Sequence, residues 1–136
     1  MNTMHQEGNA LIYENDGEIL RIEPWGKNSL RVRSVMQGQI CDTDYALIEL
    51  NEADKAIVTS ISVSEYEASI TNGKITARIE VSNWNHKCVI SYYNQNKKLL
   101  LKETGDGGAL NKDSRRFHGI IGGAYSLHVS FASAQN

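Results

Sequence analysis

Several stretches of this chain alternate apolar and polar residues with a period of two, the repeat of a strand with one buried face. Residues 18–23 put Leu20 and Ile22 opposite Arg21 and Glu23. Residues 29–36 put Leu30 and Val32 on one face and Arg31 and Arg33 on the other, facing solvent or lining a groove. Residues 74–81 are the clearest case, with Ile75, Ala77, Ile79 and Val81 inward and Lys74, Thr76, Arg78 and Glu80 outward. Further strands are predicted over 10–14, 57–63, 66–71, 87–93, 98–104 and 124–132. In the last of these, Tyr125, Leu127, Val129 and Phe131 form the inward face.

Turn residues separate these runs. Asn15-Asp16-Gly17 and Asn72-Gly73 suit tight hairpins, whose central residues need positive φ. Glu23-Pro24-Trp25-Gly26 has proline second and glycine fourth, as in a type I turn. The stretch 105–119 is rich in glycine and charge and is expected to be a loop. Residues 45–50 are too short an apolar run to assign to strand or helix. The result is about eight or nine strands and little or no helix, an all-β antiparallel sandwich. Residues 10–133 make one domain, 1–9 a flexible N-terminus and 134–136 a tail.

Composition narrows the function classes. The chain has 136 residues and a formal net charge of -2, which argues against nucleic acid or an anionic membrane as partner. No apolar run approaches a membrane span, and the start carries no secretory pattern. The two cysteines, Cys41 and Cys88, form no paired motif and are expected to be reduced thiols in a cytoplasmic protein.

Candidate chemistry is sparse. His5, His86, His118 and His128 do not sit at ligand spacing, so no metal or other cofactor is expected. No nucleophile elbow occurs, and the glycine clusters 105–108 and 119–123 lack a phosphate loop's context. Sugar hydrolysis with retention needs two convergent carboxyl groups. Most of the candidate acids, Glu18, Glu23 and Glu67 among them, are read as standing in turns or at outward positions and as solvating charges by default. The pairs Lys97-Lys98 and Arg115-Arg116 are likewise read as solvated. No residue is assigned as catalytic. Trp25 and Trp84 are the candidate substrate-binding residues, because an exposed indole can stack on a sugar ring, and Trp84, between Asn83 and Asn85 in a predicted turn, is the one expected to be exposed.

One block is more specific than its pattern. Asp16-Gly17, Leu20-Arg21-Ile22, Pro24-Trp25-Gly26 and Leu30-Arg31-Val32-Arg33 together resemble the N-terminal domain of glycoside hydrolase family 31, the α-glucosidases and α-xylosidases. Asn72-Gly73-Lys74-Ile75, Ile79, Val89-Ile90-Ser91-Tyr92-Tyr93, Leu99-Leu100-Leu101 and residues 123–132 look like the rest of that domain. The resemblance implies a galactose-mutarotase-like β-sandwich packed on a catalytic (β/α)8 barrel. It implies a parent that hydrolyses α-linked sugars with retention, using two aspartates on the barrel. No barrel segment is matched, so the chain alone is expected to be non-catalytic, helping frame the substrate pocket. Self-association through exposed strand edges is a further expectation. A stand-alone carbohydrate-binding module and a protein-interaction sandwich are the alternatives.

Overall fold

In the computed structural model the described residues are 3–38, 40, 59–104, 115–119, 125–129 and 131–133. They form twelve strands and no helix. In chain order these are β1 (Met4–Glu7), β2 (Ala10–Asn15), β3 (Glu18–Pro24), β4 (Leu30–Met36), β5 (Thr59–Val63) and β6 (Glu67–Asn72), followed by β7 (Ile75–Val81), β8 (Cys88–Tyr93), β9 (Leu99–Glu103), β10 (Arg115–Gly119), β11 (Tyr125–Val129) and β12 (Phe131–Ser133). Every pairing is antiparallel.

The strands make a four-stranded sheet in the order β1-β2-β3-β4 and a six-stranded sheet in the order β12-β9-β8-β7-β6-β5. β10 and β11 form a separate ribbon. The two larger sheets face each other, with β1 against β5 and both β2 and β3 against β6. The all-β sandwich is therefore as expected, with more and shorter strands.

The core lies where the inward residues of both sheets meet. Leu11, Tyr13, Leu20 and Ile22 come from one sheet, and Ala68, Ile70, Ala77, Ile79 and Ile90 from the other. This follows from the period-two pattern. In a strand that buries one face, every second side chain leaves water together, and about 25 cal/mol per Å² of apolar area favours keeping them so.

The two larger sheets are latched at both ends by their turns. At one end Asp16 and Gly17 both take positive φ, the geometry of a two-residue hairpin turn. The Asn15 side chain there donates to the Asn85 carbonyl, and the Tyr13 hydroxyl donates to the His86 carbonyl at 2.6 Å. At the other end the β6–β7 turn sits on the β3–β4 turn. Asn72 is fully buried and donates to the carbonyls of Gly26 and Ser29, each at 2.8 Å. The Lys74 amide donates to Asn28 Oδ1. Gly73 has φ +61, and a Cβ there would strike the Asn28 carboxamide and the Lys27 carbonyl.

Five local expectations are corrected. Residues 4–7 pair with β2 and are not a frayed end, because Met4 enters the core opposite Tyr13. Pro24 closes β3 and is not the second residue of a turn; the turn runs from Trp25 to Ser29, closed by the Trp25 amide on the Ser29 carbonyl. Pro24 is tolerated because β2 pairing ends at Ile22, so its missing N–H has no ladder partner. Residues 115–119 are strand β10 and not loop, through pairing with β11 that is distant in sequence. The run 124–132 is two strands in different sheets, since the chain changes sheet between Val129 and Phe131. As a result Leu127 and Phe131 are exposed and not on one inward face. The ambiguous run 45–50, Cys41 and the tail 134–136 lie outside the described residues.

Candidate functional site

The two indoles do not share a site. Trp25 follows β3 at the end where Asn72 latches the turns. Trp84 lies in the β7–β8 loop, which docks on the β2–β3 turn at the opposite end. Both β3 and β7 have seven residues, which at about 3.3 Å each sets the two ends roughly 20 Å apart.

Trp25 is half-buried, and the Arg31 guanidinium lies 4.0 Å from its ring centroid. One face of the indole thus already holds a cation. Arg31 also bonds Glu23, through Nε at 2.7 Å and Nη2 at 2.5 Å. Arg33 Nη2 reaches the same oxygen at 2.5 Å, and Arg21 Nε reaches the other at 3.3 Å. Register explains the cluster, because Arg21 is paired with Arg33 and Glu23 with Arg31, so all four share one face. Burial alone would raise the Glu23 pKa, but the Arg31 bonds and the charges of its neighbours hold it below the usual carboxylate range. Glu23 is therefore an ion-pair hub and not a solvated charge. On the other face of β4, Val32 is more exposed than its arginine neighbours, the reverse of the expected pattern.

Trp84 is 78 % exposed, as its place between Asn83 and Asn85 suggested. Its loop is held by the Ser82 amide on the Lys87 carbonyl and by the His86 amide on the Ser82 carbonyl. His86 takes φ +60, uncommon for a side chain without special backbone freedom.

A third cluster was not foreseen. Arg115 reaches from β10 into the interior, where its Nε and Nη2 bond the two carboxylate oxygens of Glu18 at 2.6 and 3.1 Å. Its Nη1 bonds Glu103 at 2.5 Å, and its Nη2 meets the Cys88 sulfur at 3.0 Å. Ser34 donates to Glu18, and the Ile90 amide donates to Glu103. Glu18 is thus a buried ion-pair partner and not a solvating acid, Glu103 is a second such partner, and Arg115 is not a solvated loop residue.

The electrostatics of this cluster follow from burial and charge. Burial opposes the Arg115 charge, but the Glu18 bonds and the neighbouring negative groups outweigh it and raise the pKa. Burial pushes the Cys88 thiol up to about 11, against the pull of Arg115. Burial and then Glu103 push Tyr92 up to about 12.

Two carboxylates converging on one point is the arrangement retaining hydrolysis requires. Here a guanidinium fills the space between them, and both carboxylates are buried. The pair has neither an open face for a sugar nor a free oxygen geometry for attack. It ties the four-stranded sheet, the six-stranded sheet and the ribbon together. No motif in the sequence joins its members, since Glu18 and Arg115 stand 97 residues apart. Among the described residues no group of three or more His, Cys, Asp or Glu side chains could hold a metal ion. None of the described helices is long and apolar enough to cross a membrane, as there are none.

Comparison with known proteins decides the relationship. A family 31 glucosidase, ORF2, of Pseudescherichia vulneris is 31 % identical over 152 aligned positions, which take in 99 % of this chain and 27 % of that protein. A crystal structure of a family 31 α-xylosidase from a soil metagenome, complexed with xylose, superimposes with a TM-score of 0.78 at 32 % identity. The match covers 96 % of this chain and 20 % of the xylosidase. The chain is homologous to part of a family 31 glycosidase. It spans only about a fifth to a quarter of the length of these family 31 relatives. No protein-family model matches the sequence. The resemblance carried by residues 16–33 and the later strands is thereby borne out.

Proposed function

We propose that this chain is the non-catalytic N-terminal β-sandwich of a family 31 α-glycosidase, whose parent cuts α-glucosides or α-xylosides. The observation that carries this reading is the coverage: nearly the whole chain aligns to a small share of each enzyme. The only buried pair of carboxylates among the described residues is bridged and occupied by Arg115, which supports a non-catalytic role. The sandwich acts as a rigid wall that helps frame the substrate pocket of the catalytic barrel. A free, buried Cys88 is in keeping with a reducing, cytoplasmic setting.

Two measurements test this. The isolated chain is assayed on 4-nitrophenyl α-D-glucoside and α-D-xyloside, with no turnover expected. Turnover that Glu18→Gln removes would overturn the non-catalytic assignment. Mass-mapping of the native polypeptide in its source cell is expected to give peptides of a barrel in the same chain, and a product holding these residues alone would overturn the parent assignment.

A further inference from the structure

We infer that the β7–β8 loop carries a surface sugar-binding platform, with Trp84 stacking on one face of a neutral pyranose. This inference stands on the loop's own geometry and goes beyond the framing role.

Trp84 is the most exposed large apolar side chain among the described residues. An indole left in water forgoes favourable burial, about 25 cal/mol for each Å² of apolar surface. The loop beneath it is fixed from several directions. The Ser82 amide bonds the Lys87 carbonyl at 2.8 Å, and the His86 amide bonds the Ser82 carbonyl at 3.0 Å. The Lys87 amide bonds Asn85 Oδ1, and the Trp84 amide lies 3.4 Å from Ser82 Oγ. Tyr13 and Asn15 clamp the carbonyls of His86 and Asn85 from the other sheet. Lys87 Nζ lies 3.5 Å from Asp16. A ring presented on so constrained a turn loses little freedom on binding.

The surroundings fit a sugar better than a protein. Asn83 and Trp84 are both exposed, so a carboxamide and the indole N–H stand where hydroxyl groups can reach them. Tyr66, 40 % exposed, stands 6.3 Å from the His86 ring at the same loop. Asn83 and Asn85 flank the indole in the chain, and Lys87 and Asp16 pair at the same end of the sandwich. A stable protein interface buries roughly 800 Å² on each partner around a centre depleted in polar groups, whereas this indole is flanked on its own loop by two asparagines. A pyranose with equatorial hydroxyls offers the complement, an apolar C–H face for the indole and a hydroxyl rim for the amides. Gluco- and xylo-configured rings have that form. Trp25 is not part of the platform, because it lies at the other end with Arg31 on its ring.

The test uses the full chain with maltoheptaose and, separately, a xylose-bearing xyloglucan heptasaccharide. Trp25→Phe leaves Trp84 as the single tryptophan, so its fluorescence reports this loop alone. A saturable blue shift with at least one oligosaccharide is expected. By calorimetry in the otherwise native chain, Trp84→Ala should weaken binding about tenfold or more, with thermal stability unchanged. Absence of heat and of any fluorescence change with both sugars overturns the proposal. So does a blue shift that grows with protein concentration in the absence of sugar, which would mean a protein contact. Neither failure bears on the family relationship.

Discussion

Arg115 and Glu18, 97 residues apart in the chain, meet through two parallel hydrogen bonds inside the protein. The second bond uses the guanidinium fork that lysine lacks, and Glu103 occupies the remaining side. Removing one member of a buried ion cluster leaves the others charged and unpaired. Arg115→Ala is expected to destabilise the fold by about 3–5 kcal/mol. Replacing Arg115, Glu18 and Glu103 together with apolar residues of similar volume should cost far less. Urea unfolding of both variants distinguishes an essential charge cluster from one whose stability is that of packing.

Gly73 and Asn72 form the latch at the Trp25 end. Gly73→Ala meets both an unfavourable positive φ and the Asn28 and Lys27 oxygens. A loss of about 2 kcal/mol or more is expected, beyond the roughly 1 kcal/mol for a left-handed side chain in open space. Gly8, with φ +60 and nothing within reach of a Cβ, is the control and should lose only the smaller amount. Asn72→Ala leaves the Gly26 and Ser29 carbonyls without their donor and should cost about 2 kcal/mol. Thermal denaturation measures all three.

Glu23 should shape the acid limb of stability. Its pKa is lower in the folded state than in the unfolded chain, so its contribution is full above the ordinary carboxylate range. That contribution is lost as the pH falls through the folded-state value. Glu23→Gln should lower stability by about 2 kcal/mol at pH 7 and flatten the decline between neutral and acid pH. A pH series of urea midpoints for both proteins is the check, and parallel acid limbs would contradict the assignment.

Cys88 behaves oppositely. Its thiol is raised from 9.0 to about 11, so the neutral form is the one the fold accommodates. The associated stability is complete below pH 9 and is lost as the pH climbs towards 11. Cys88→Ser should soften this alkaline loss. In a Cys41→Ser background the native protein should react with a thiol reagent at pH 8 only as fast as it unfolds.

The sequence pattern was a good guide where structure is local. The alternation at Ile75, Ala77, Ile79 and Val81 identified the inward face of β7, and Asn72-Gly73 identified its hairpin. It was a poor guide where distant segments decide. Residues 115–119 carry no strand signature of their own, and only the β11 ladder and the two glutamates give Arg115 its place. Glu18 alternates in step with Leu20 and Ile22, which does place it on the inward face. Reading it as a solvated charge gave its chemistry priority over its position. Val129 and Phe131 have the spacing of one strand, yet the chain changes sheet between them, which no period-two count can reveal. For the candidate site, exposure of Trp84 was legible from its asparagine neighbours, whereas the Arg31 cover on Trp25 required the β3–β4 register.

The separation of Glu18 from Arg115 also bears on the order of assembly. The hairpins β2–β3 and β6–β7 close over a few residues and can form early, whereas the ion cluster closes a loop that takes in most of the chain. Contacts of that kind are expected to close late, so stopped-flow kinetics of Arg115→Ala should show faster escape from the native basin with entry to it nearly unchanged. On that expectation Arg115 is a brake on unfolding, and its worth to the protein is lifetime more than speed of folding.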